Sequence, residues 1–300
     1  MNKDIKEIAN KYGINPKKYT IKNSSFIVSD DDKSFVIKKK NRDGVGANIN
    51  DIYKYLRSRS FEYYPALLSA EHDDYDIFEY IEEIETPKEQ KALDIVYLIS
   101  LLHNKTTHYK DVTEDYAKEI YESVNQNVDY LFNYYTDVIT IAEKSVYMSP
   151  SEYLIARNIS KIYSCLGFCK REIESWYKKS SVTNKQRYTL NHNNLELDHL
   201  IRNNNPYLIS WGKSKMEIPI YDFLQFYKNH YLEQDFRELL KVYEEKYPLK
   251  QEERQMLFIL ISMPPVMSYK DNEYDRCREV SNILDYIYKS ETLIKPYYEK

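Results

Sequence analysis

The sequence predicts an α+β fold, with a small antiparallel sheet in the N-terminal part of the chain and a larger helical part after it. Up to about residue 85, apolar and polar residues alternate as they do in strands, and beyond it apolar residues recur at helical spacing. The chain has 300 residues, of which 42% are hydrophobic and 30% are charged. This composition is that of an ordinary globular protein, with enough chain for about two domains or lobes.

The elements predicted before residue 85 are short. Residues 3 to 12 have the pattern of a helix that Gly13 ends, and residues 19 to 40 have the pattern of three short strands, the last two joined by an Asp-rich turn. Ile49 to Leu56 has apolar residues at helical spacing, which predicts a second helix. Residues 75 to 83 form a further predicted strand that turns acidic at its end.

Long helices dominate the rest of the chain. Pro87 begins one of them, and Ser149-Pro150 gives the N-cap and first-turn signal of another. A strand-loop-strand insert at residues 191–211 interrupts the helices. We therefore divide the chain into a small lobe, residues 1–83, and a helical lobe, residues 84–300. The predicted helices are residues 88–106, 113–145, 151–179 and the stretch from about Tyr221 to the end.

Charge and hydropathy exclude several classes of function. The net charge is −4, and Lys and Arg are interleaved with Asp and Glu, so the sequence offers no basic face for nucleic acid. The N-terminus is too charged for a signal peptide, and the longest apolar run, Met256 to Ile261, is too short to span a membrane. The three cysteines are sparse and lack neighbouring histidines, which indicates buried thiols in a reducing compartment. We expect synthesis in the cytoplasm.

The stretch from His192 to Trp211 carries the most specific motif of the chain. "HNNLELDHLI", residues 192–201, is followed by "LISW", residues 208–211. The pattern resembles His-Gly-Asp-Leu-His-x-x-Asn-Ile-Leu and a later Ile-Asp-Trp or Ile-Asp-Phe in aminoglycoside phosphotransferases, which belong to the protein-kinase-like superfamily. The segment that follows, residues 221–253, resembles the spore-coat CotS branch of that superfamily.

The resemblance extends to the N-terminal part of the chain. "VIKKK", residues 36–40, lies where the family has its strand lysine, and "IFEYIE", residues 77–82, lies at its interlobe hinge. The resemblance implies a bilobal protein-kinase-like fold, with an antiparallel-sheet N-lobe and a larger helical C-lobe. It also implies that Lys38, Glu79 and Tyr80 are the remnant of a nucleotide site.

The same resemblance gives roles to residues of the loop. His192 and Asp222 match residues that brace the loop backbone and take no part in bond making. The position of the catalytic base falls on Asn194. The position of the metal-binding Asn falls on His199, and that of the second metal ligand, an Asp, falls on Ser210.

All three chemical positions have therefore changed. An amide cannot accept the proton of an attacking hydroxyl at neutral pH. An imidazole prefers softer metals than Mg²⁺, and a serine hydroxyl carries no charge. Lys38 also lacks the usual Glu partner, since residues 41–61 contain no Glu and the predicted helix there offers only the carboxylate of Asp51.

These changes predict a pseudokinase, a kinase-fold protein that is not an enzyme and acts by binding other proteins. We expect no cofactor, weak ATP binding at most, no Mg²⁺ and no metal site. By its resemblance to the CotS branch, the chain is predicted to be an endospore coat protein, made in the cytoplasm and deposited in the coat. Two alternatives stay open: an active small-molecule phosphotransferase in which Glu196 or Asp198 replaces the lost carboxylates, and a cytosolic scaffold.

Overall fold

The computed structural model describes residues 3–22, 25–30, 33–40, 48–69, 74–113, 115–181, 185–268 and 270–299. It confirms the α+β class, with an antiparallel sheet in the N-terminal region and a larger helical part. The helices are α1 (Lys3–Lys11), α2 (Ile49–Ser58), α3 (Lys88–Thr106), α4 (Tyr116–Lys144), α5 (Pro150–Ser180), α6 (Ile220–His230), α7 (Phe236–Lys246), α8 (Gln251–Ser262) and α9 (Glu273–Ile294). The strands are β1 (Lys18–Lys22), β2 (Ser25–Ser29), β3 (Ser34–Lys39), β4 (Tyr75–Glu79), β5 (His108–Asp111), β6 (Lys185–Asn191), β7 (Leu200–Arg202), β8 (Pro206–Leu208) and β9 (Lys215–Glu217).

The chain divides into two compact units. The first consists of residues Met1–Thr106 and Leu190–Met216, and the second of residues Thr107–Thr189 and Glu217–Lys300. The chain thus leaves the first unit after α3 and returns to it at the end of β6. The lobe boundary predicted at residue 83 stays a prediction.

The first unit is built on the sheet β1-β2-β3-β4, in which neighbouring strands are antiparallel. Side chains alternate between its two faces. On one face, Ile37 of β3 packs with Val28 of β2 and Ile77 of β4, and Ala9 of α1 joins the same buried cluster. The next residue of β3, Lys38, is exposed. The sheet therefore has one face covered by apolar side chains and another that carries the predicted strand lysine.

The helix ends follow the local signals that predict them. Gly13 follows α1 with a φ of +72°, a left-handed conformation in which glycine meets no steric penalty. α3 begins directly after Pro87. At the start of α5, the Ser149 side chain accepts from the Glu152 N–H and the Glu152 carboxylate accepts from the Ser149 N–H, with Pro150 as the first helical residue. This reciprocal capping box satisfies two N–H groups that the helix itself leaves unpaired.

The second unit is mainly helical, and α5 packs against α4, α8 and α9 within it. The residues Met256, Leu257, Phe258 and Ile259 of α8 are consecutive and all buried, as expected for a helix surrounded by other elements. The Cys169 thiol on α5 donates to the Ile259 carbonyl oxygen at 3.5 Å, and burial raises its pKa. This cysteine is a buried, unreactive thiol, as the sequence predicts.

A buried ion pair fixes β6 against the start of α8. Nε of Arg187 donates to the Glu253 carboxylate at 2.8 Å, and a second guanidinium nitrogen donates to the Pro248 carbonyl oxygen at 3.1 Å. The guanidinium also lies over the Tyr247 ring, 4.5 Å from its centroid. Because removal of one partner would leave a buried charge, breaking such a pair costs about 3–5 kcal/mol. β6, which leads into residues 192–211, is therefore held in a fixed position.

The prediction of a strand at residues 75–83 is wrong at its end. β4 stops at Glu79, because its neighbour β3 begins at Ser34 and the ladder ends where the Tyr80 N–H donates to the Ser34 carbonyl oxygen at 3.2 Å.

The strands β5, β6 and β9 are absent from the sequence prediction. β5 is four residues long and mostly exposed, so it lacks the apolar alternation that identifies a strand.

Part of the N-terminal prediction lies outside the described residues. The middle of the Asp-rich turn, residues 31–32, and the segment 41–47 are among them. In the part of the chain that is described, every helix is too short or too polar to cross a lipid bilayer.

Candidate functional site

Residues 192–211 form a loop that buried leucines anchor. The chain passes through the 3₁₀ turn Leu197–His199 into the hairpin β7–β8, in which Leu200 lies opposite Leu208. Leu195, Leu200 and Leu208 are all completely buried. The polar residues between them are consequently held in place by the core of the first unit.

Two loop residues, Asn193 and Ser210, have left-handed backbone conformations, with φ of 55° and 69°. Among the described non-glycine residues, Ser60 is the third with positive φ. A left-handed conformation costs a residue with a Cβ about 1–2 kcal/mol, and it persists where the surroundings hold it. Asn193 stands where the resembled motif has Gly, a residue that adopts this conformation freely. Such strained positions cluster at functional sites.

Hydrogen bonds join Asn194, His199 and Ser210, the three positions that the resemblance to phosphotransferases picks out in the loop. Nδ2 of Asn194 donates to the Ser210 carbonyl oxygen at 3.3 Å, and Nδ1 of His199 donates to the Asn194 carbonyl oxygen at 2.6 Å. The Ile209 N–H donates to the His199 carbonyl oxygen at 3.0 Å. The structure thus brings together side chains and backbone groups that are up to 16 residues apart. A carboxylate at position 194 has no proton to donate to the Ser210 carbonyl oxygen.

The ring of His199 is held in one tautomer. Since a carbonyl oxygen only accepts, Nδ1 carries the proton in the bond to Asn194, and Nε2 of the neutral ring is an acceptor. A carboxylate oxygen of Asp198 lies 3.9 Å from Nε2, and this side chain is 77% exposed. Glu196, the other candidate replacement carboxylate, is half-buried, and its backbone carbonyl oxygen accepts from the His199 N–H at 3.0 Å.

His192 connects the beginning of the loop to its end. Its ring is fully buried, and Nε2 donates to the Ile209 carbonyl oxygen at 2.9 Å. The Ser214 hydroxyl donates to the His192 carbonyl oxygen at 3.3 Å, and the Trp211 ring lies edge-on to the imidazole with centroids 4.7 Å apart. These are contacts that a loop-bracing residue would make.

Trp211 also ends a chain of aromatic rings within the first unit. It contacts Phe61 and Tyr64 at centroid distances of 6.0 and 6.4 Å. Tyr64 lies 4.2 Å from Tyr53 of α2, and Tyr53 lies 6.2 Å from Phe78 of β4. Aromatic pairs of this kind contribute about 0.5–1.5 kcal/mol each beyond their burial. They link the sheet and α2 to the loop. No local sequence signal predicts these contacts, because the partners are distant along the chain.

Lys38 lies opposite a carboxylate of the neighbouring strand. Its register partner is Asp76 of β4, and the Lys40 ammonium is 3.5 Å from the same carboxylate. Burial raises the pKa of Asp76, and the charges of Lys40 and Lys38 partly offset that rise. Asp51, the carboxylate expected on α2, lies 4.0 Å from Lys54 and is mostly exposed.

The remaining predicted site residues fall in two places. Glu79 is the last residue of β4 and Tyr80 follows it. The Glu79 N–H donates to the Ala66 carbonyl oxygen, and the Tyr80 N–H donates to the Ser34 carbonyl oxygen. Both side chains are exposed, Tyr80 by 38%. Asp222 belongs to the second unit, where it is completely buried in the first turn of α6.

The described residues contain no group of three or more His, Cys, Asp or Glu side chains arranged to hold a metal ion. Mg²⁺ prefers carboxylate and other oxygen ligands in octahedral geometry. Asn194, His199 and Ser210 together offer amide and hydroxyl oxygens and one imidazole nitrogen. This donor set suits hydrogen bonding to a neutral polar group better than coordination of Mg²⁺.

No protein-family model and no curated protein matches the chain. Solved structures do match it over nearly its whole length. An aminoglycoside phosphotransferase from Alicyclobacillus acidocaldarius has a TM-score of 0.68 at 8% identity, over 94% of this chain and 91% of that chain. Spectinomycin phosphotransferase in its AMP-bound form has a TM-score of 0.53 at 12% identity, over 99% and 95%. Choline kinase LicA of Streptococcus pneumoniae has 0.52 at 15%, over 95% and 98%. The chain therefore has the kinase-like α+β fold of these phosphotransferases.

Proposed function

We propose that this chain is a kinase-fold protein that does not transfer phosphoryl groups and acts by binding other proteins. The observation that carries the proposal is the set of residues at the three chemical positions: Asn194, His199 and Ser210. Phosphoryl transfer depends on a carboxylate beside the acceptor hydroxyl and on Mg²⁺ held by oxygen ligands. Asn194 and His199 are engaged in hydrogen bonds inside the loop, which supports a structural role for both.

The magnitude of the loss supports the same conclusion. Removal of a general base slows a reaction by about 10²- to 10⁴-fold. Removal of the groups that stabilise the charge of the transferred phosphoryl group slows it by about 10²-fold or more. The two losses together leave little of a kinase rate. ATP would bind weakly, through Lys38, Glu79 and Tyr80, and Mg²⁺ would not be retained.

An assay of ADP release from ATP or GTP tests the proposal. We expect no release above background with sugars, aminoglycosides or proteins as acceptors, with Mg²⁺ or Mn²⁺. Metal-dependent phosphorylation by the unaltered protein would contradict the proposal. If it were lost in Glu196→Gln or Asp198→Asn, the active alternative with relocated carboxylates would be the correct one.

The double variant Asn194→Asp, Ser210→Asp adds a second readout. Nucleotide or Mg²⁺ binding that appears in this variant and not in the unaltered protein would support descent from a kinase site. The matched variant Asn194→Ala, Ser210→Ala also deletes the Asn194 donation to the Ser210 carbonyl oxygen, without adding negative charges. Circular dichroism first establishes that both double variants are folded. Calorimetric titration with nucleotide and Mg²⁺ then separates the effect of the added charges on binding from the effect of damage to the loop.

The proposed setting is the endospore coat, and it rests on the resemblance of residues 221–253 to the CotS branch. In a spore-forming source, immunodetection should find the protein in purified spore coats and not in coat-stripped spores. Its presence in vegetative cells alone would favour a cytosolic scaffold.

A further inference from the structure

β1 is the edge strand of the four-stranded sheet in the first unit, with β2 on one side and no described strand on the other. Successive residues of a strand direct their backbone groups to alternate sides. The Asp30 N–H donates to the Lys33 carbonyl oxygen at 2.8 Å, at the end of the β2–β3 ladder. Counted back from this pair, the backbone groups of Val28 and Phe26 face β3, and those of Ile27 face β1.

The same alternation leaves two residues of β1 with unpaired backbone groups. Thr20 lies opposite Ile27, so its backbone groups are the ones that pair with β2. Those of Tyr19 and Ile21, on either side of Thr20, point away from β2. None of the described residues forms a backbone hydrogen bond with these outward groups. An unpaired edge of this kind is a template for an extended segment of another chain.

The side chains of these two residues continue the apolar layer of the sheet beyond its covered part. Tyr19 lies opposite Val28. Ile21 lies opposite Phe26, so both belong to the face that packs against α1. Val28 is completely buried, whereas Tyr19 is 38% and Ile21 is 60% exposed. A strand added beside β1 would therefore cover apolar surface as well as pair the backbone groups.

The charge of the adjoining chain favours an acidic occupant. Residues 1–22, which include α1 and β1, contain six Lys, one Asp and one Glu and so have a net charge of +4, against −4 for the whole chain. Lys17 and Lys18 are exposed. Complementary charge promotes association, and like charge opposes it. Pairing of β1 with the β1 strand of a second copy would bring two lysine-rich edges together, which is unfavourable.

We propose that β1 binds an extended acidic segment of another protein, which adds to the sheet as an antiparallel strand. Apolar residues of the segment lie opposite the two outward-facing residues of β1, and carboxylates alternate with them. The pairing of β3 with β4 has the same alternation of side chains, since Ile37 lies opposite Ile77 and Lys38 lies opposite Asp76. The inference names a partner for the proposed binding role, but it rests on the sheet edge alone, so the result of a phosphotransfer assay does not affect it.

Fluorescence anisotropy with a labelled heptapeptide tests the proposal. The probe alternates glutamate with valine, has glutamate at both ends and carries blocked termini, and a matched peptide has lysine in place of every glutamate. We expect a dissociation constant of about 100 µM or tighter for the acidic peptide, and binding at least about tenfold weaker for the lysine peptide. No binding of the acidic peptide at a protein concentration of about 0.5 mM, or equal or tighter binding of the lysine peptide, would overturn the proposal.

Methylation of the peptide backbone identifies the mode of binding. In an antiparallel pair, the residues opposite Tyr19 and Ile21 are the ones whose N–H groups face β1, and these are the valines. N-methylation of two valines should therefore weaken binding by about tenfold or more, whereas N-methylation of two glutamates, whose N–H groups face away, should change it by less than about threefold. Equal losses in the two methylated peptides, or a greater loss in the glutamate-methylated one, would contradict antiparallel strand addition.

Two variants of the protein locate the binding. Ile21→Pro removes an outward N–H and leaves the ladder with β2 intact, as proline does on edge strands, and Lys18→Glu reverses an exposed charge beside it. Each should weaken binding of the acidic peptide by about fivefold or more. Lys161→Glu, at an exposed position of α5 in the second unit, should leave binding unchanged.

Circular dichroism establishes that the variants are folded, and Lys18→Glu and the methylated peptides carry the test if Ile21→Pro is not. Peptide binding that survives Lys18→Glu, or that falls equally in Lys161→Glu, would contradict the assignment to β1. Analytical ultracentrifugation examines the other occupant. A dimer of the unaltered protein that dissociates in Ile21→Pro would place a second copy at the edge and overturn the proposed partner.

Discussion

At the scale of single residues, Asn194 makes hydrogen bonds that hold the loop in its observed conformation. Its Nδ2 donates to the Ser210 carbonyl oxygen, and its backbone carbonyl oxygen accepts from the His199 ring. Asn194 is thus hydrogen-bonded to both Ser210 and His199. A carboxylate at this position would put a second acceptor against the Ser210 carbonyl oxygen, and two acceptors in contact repel each other.

The substitution Asn194→Asp should therefore destabilise the fold at neutral pH, by about 1–3 kcal/mol. A protonated carboxyl group can donate to the Ser210 carbonyl oxygen, so folding favours the protonated form and raises the pKa of the introduced group. The destabilisation is then present above that pKa and shrinks as the pH falls through it. Urea unfolding followed by tryptophan fluorescence at neutral and at acid pH measures both effects.

Asn48→Asp is the matched control. Asn48 caps α2, and its side-chain oxygen accepts from the Asn50 N–H at 3.0 Å. A carboxylate keeps that acceptor and interacts favourably with the N-terminus of a helix, so stability should be unchanged or slightly raised. Equal losses in the two variants would show that the Asn194 hydrogen bond does not hold the loop.

At the scale of elements, a carboxylate of α9 completes the N-terminus of α5. Glu273 accepts from the Ser151 N–H at 2.6 Å, in the first turn of α5. This hydrogen bond lowers the pKa of Glu273, although the side chain is partly exposed. A carboxylate with a lowered pKa contributes stability above its unfolded-state pKa, and that contribution is lost as the pH falls through the folded-state pKa.

Glu273→Gln should accordingly make the melting temperature less dependent on pH in the acid range. The amide keeps an acceptor for the Ser151 N–H but cannot titrate. We expect it to cost about 0.5–1 kcal/mol at neutral pH, after allowance for solvent screening, and progressively less as the pH falls through the lowered pKa of Glu273. Glu245→Gln, at an exposed position of α7, should change neither value. If the melting temperatures of Glu273→Gln and of the unaltered protein changed with pH to the same extent, the Glu273 carboxylate would not be the source of the pH dependence.

The sequence predicts those elements whose ends carry local signals. Pro87 and Ser149-Pro150 place α3 and α5 within a residue, because capping depends on a few adjacent groups. β5 and β9 have no such signal, since their hydrogen bonds come from strands that are distant in sequence. The same contrast holds in the loop. The identities of Asn194, His199 and Ser210 can be read from the motif, whereas their hydrogen bonds depend on tertiary structure.

At the scale of the whole molecule, both compact units are discontinuous in sequence. The first unit takes residues Leu190–Met216 from beyond the second unit's first segment. This returning segment supplies Trp211, which is 1% exposed and packs against Phe61, itself completely buried. The Leu190 N–H donates to the Thr106 hydroxyl at 3.1 Å. The end of the first segment, Thr106, therefore lies next to the start of the second segment, Leu190.

We therefore predict that residues 1–106 alone do not fold cooperatively, whereas residues 1–106 joined to 190–216 by a short Gly/Ser linker do. Without Trp211, the aromatic contacts of Phe61 are lost, and removal of a buried tryptophan side chain by itself costs about 3–5 kcal/mol. A short linker suffices, because Thr106 and Leu190 are hydrogen-bonded. Trp211 is the only tryptophan of the linked protein, so its fluorescence reports the folding of this unit directly.

The comparison also tests the lobe boundary that the sequence places at residue 83. A protein made of residues 1–83 would keep the sheet and α2 but lack α3, from which the Arg202 partner Asp94 comes. If residues 1–83 melt cooperatively alone, the small lobe is an independent folding unit and the returning segment is dispensable. If only the linked protein does so, and Trp211→Ala abolishes its transition, the loop is part of the core that folds the sheet. The role of this segment in the core would then rest on its leucines and tryptophan, and it would not depend on a carboxylate at position 194 or 210.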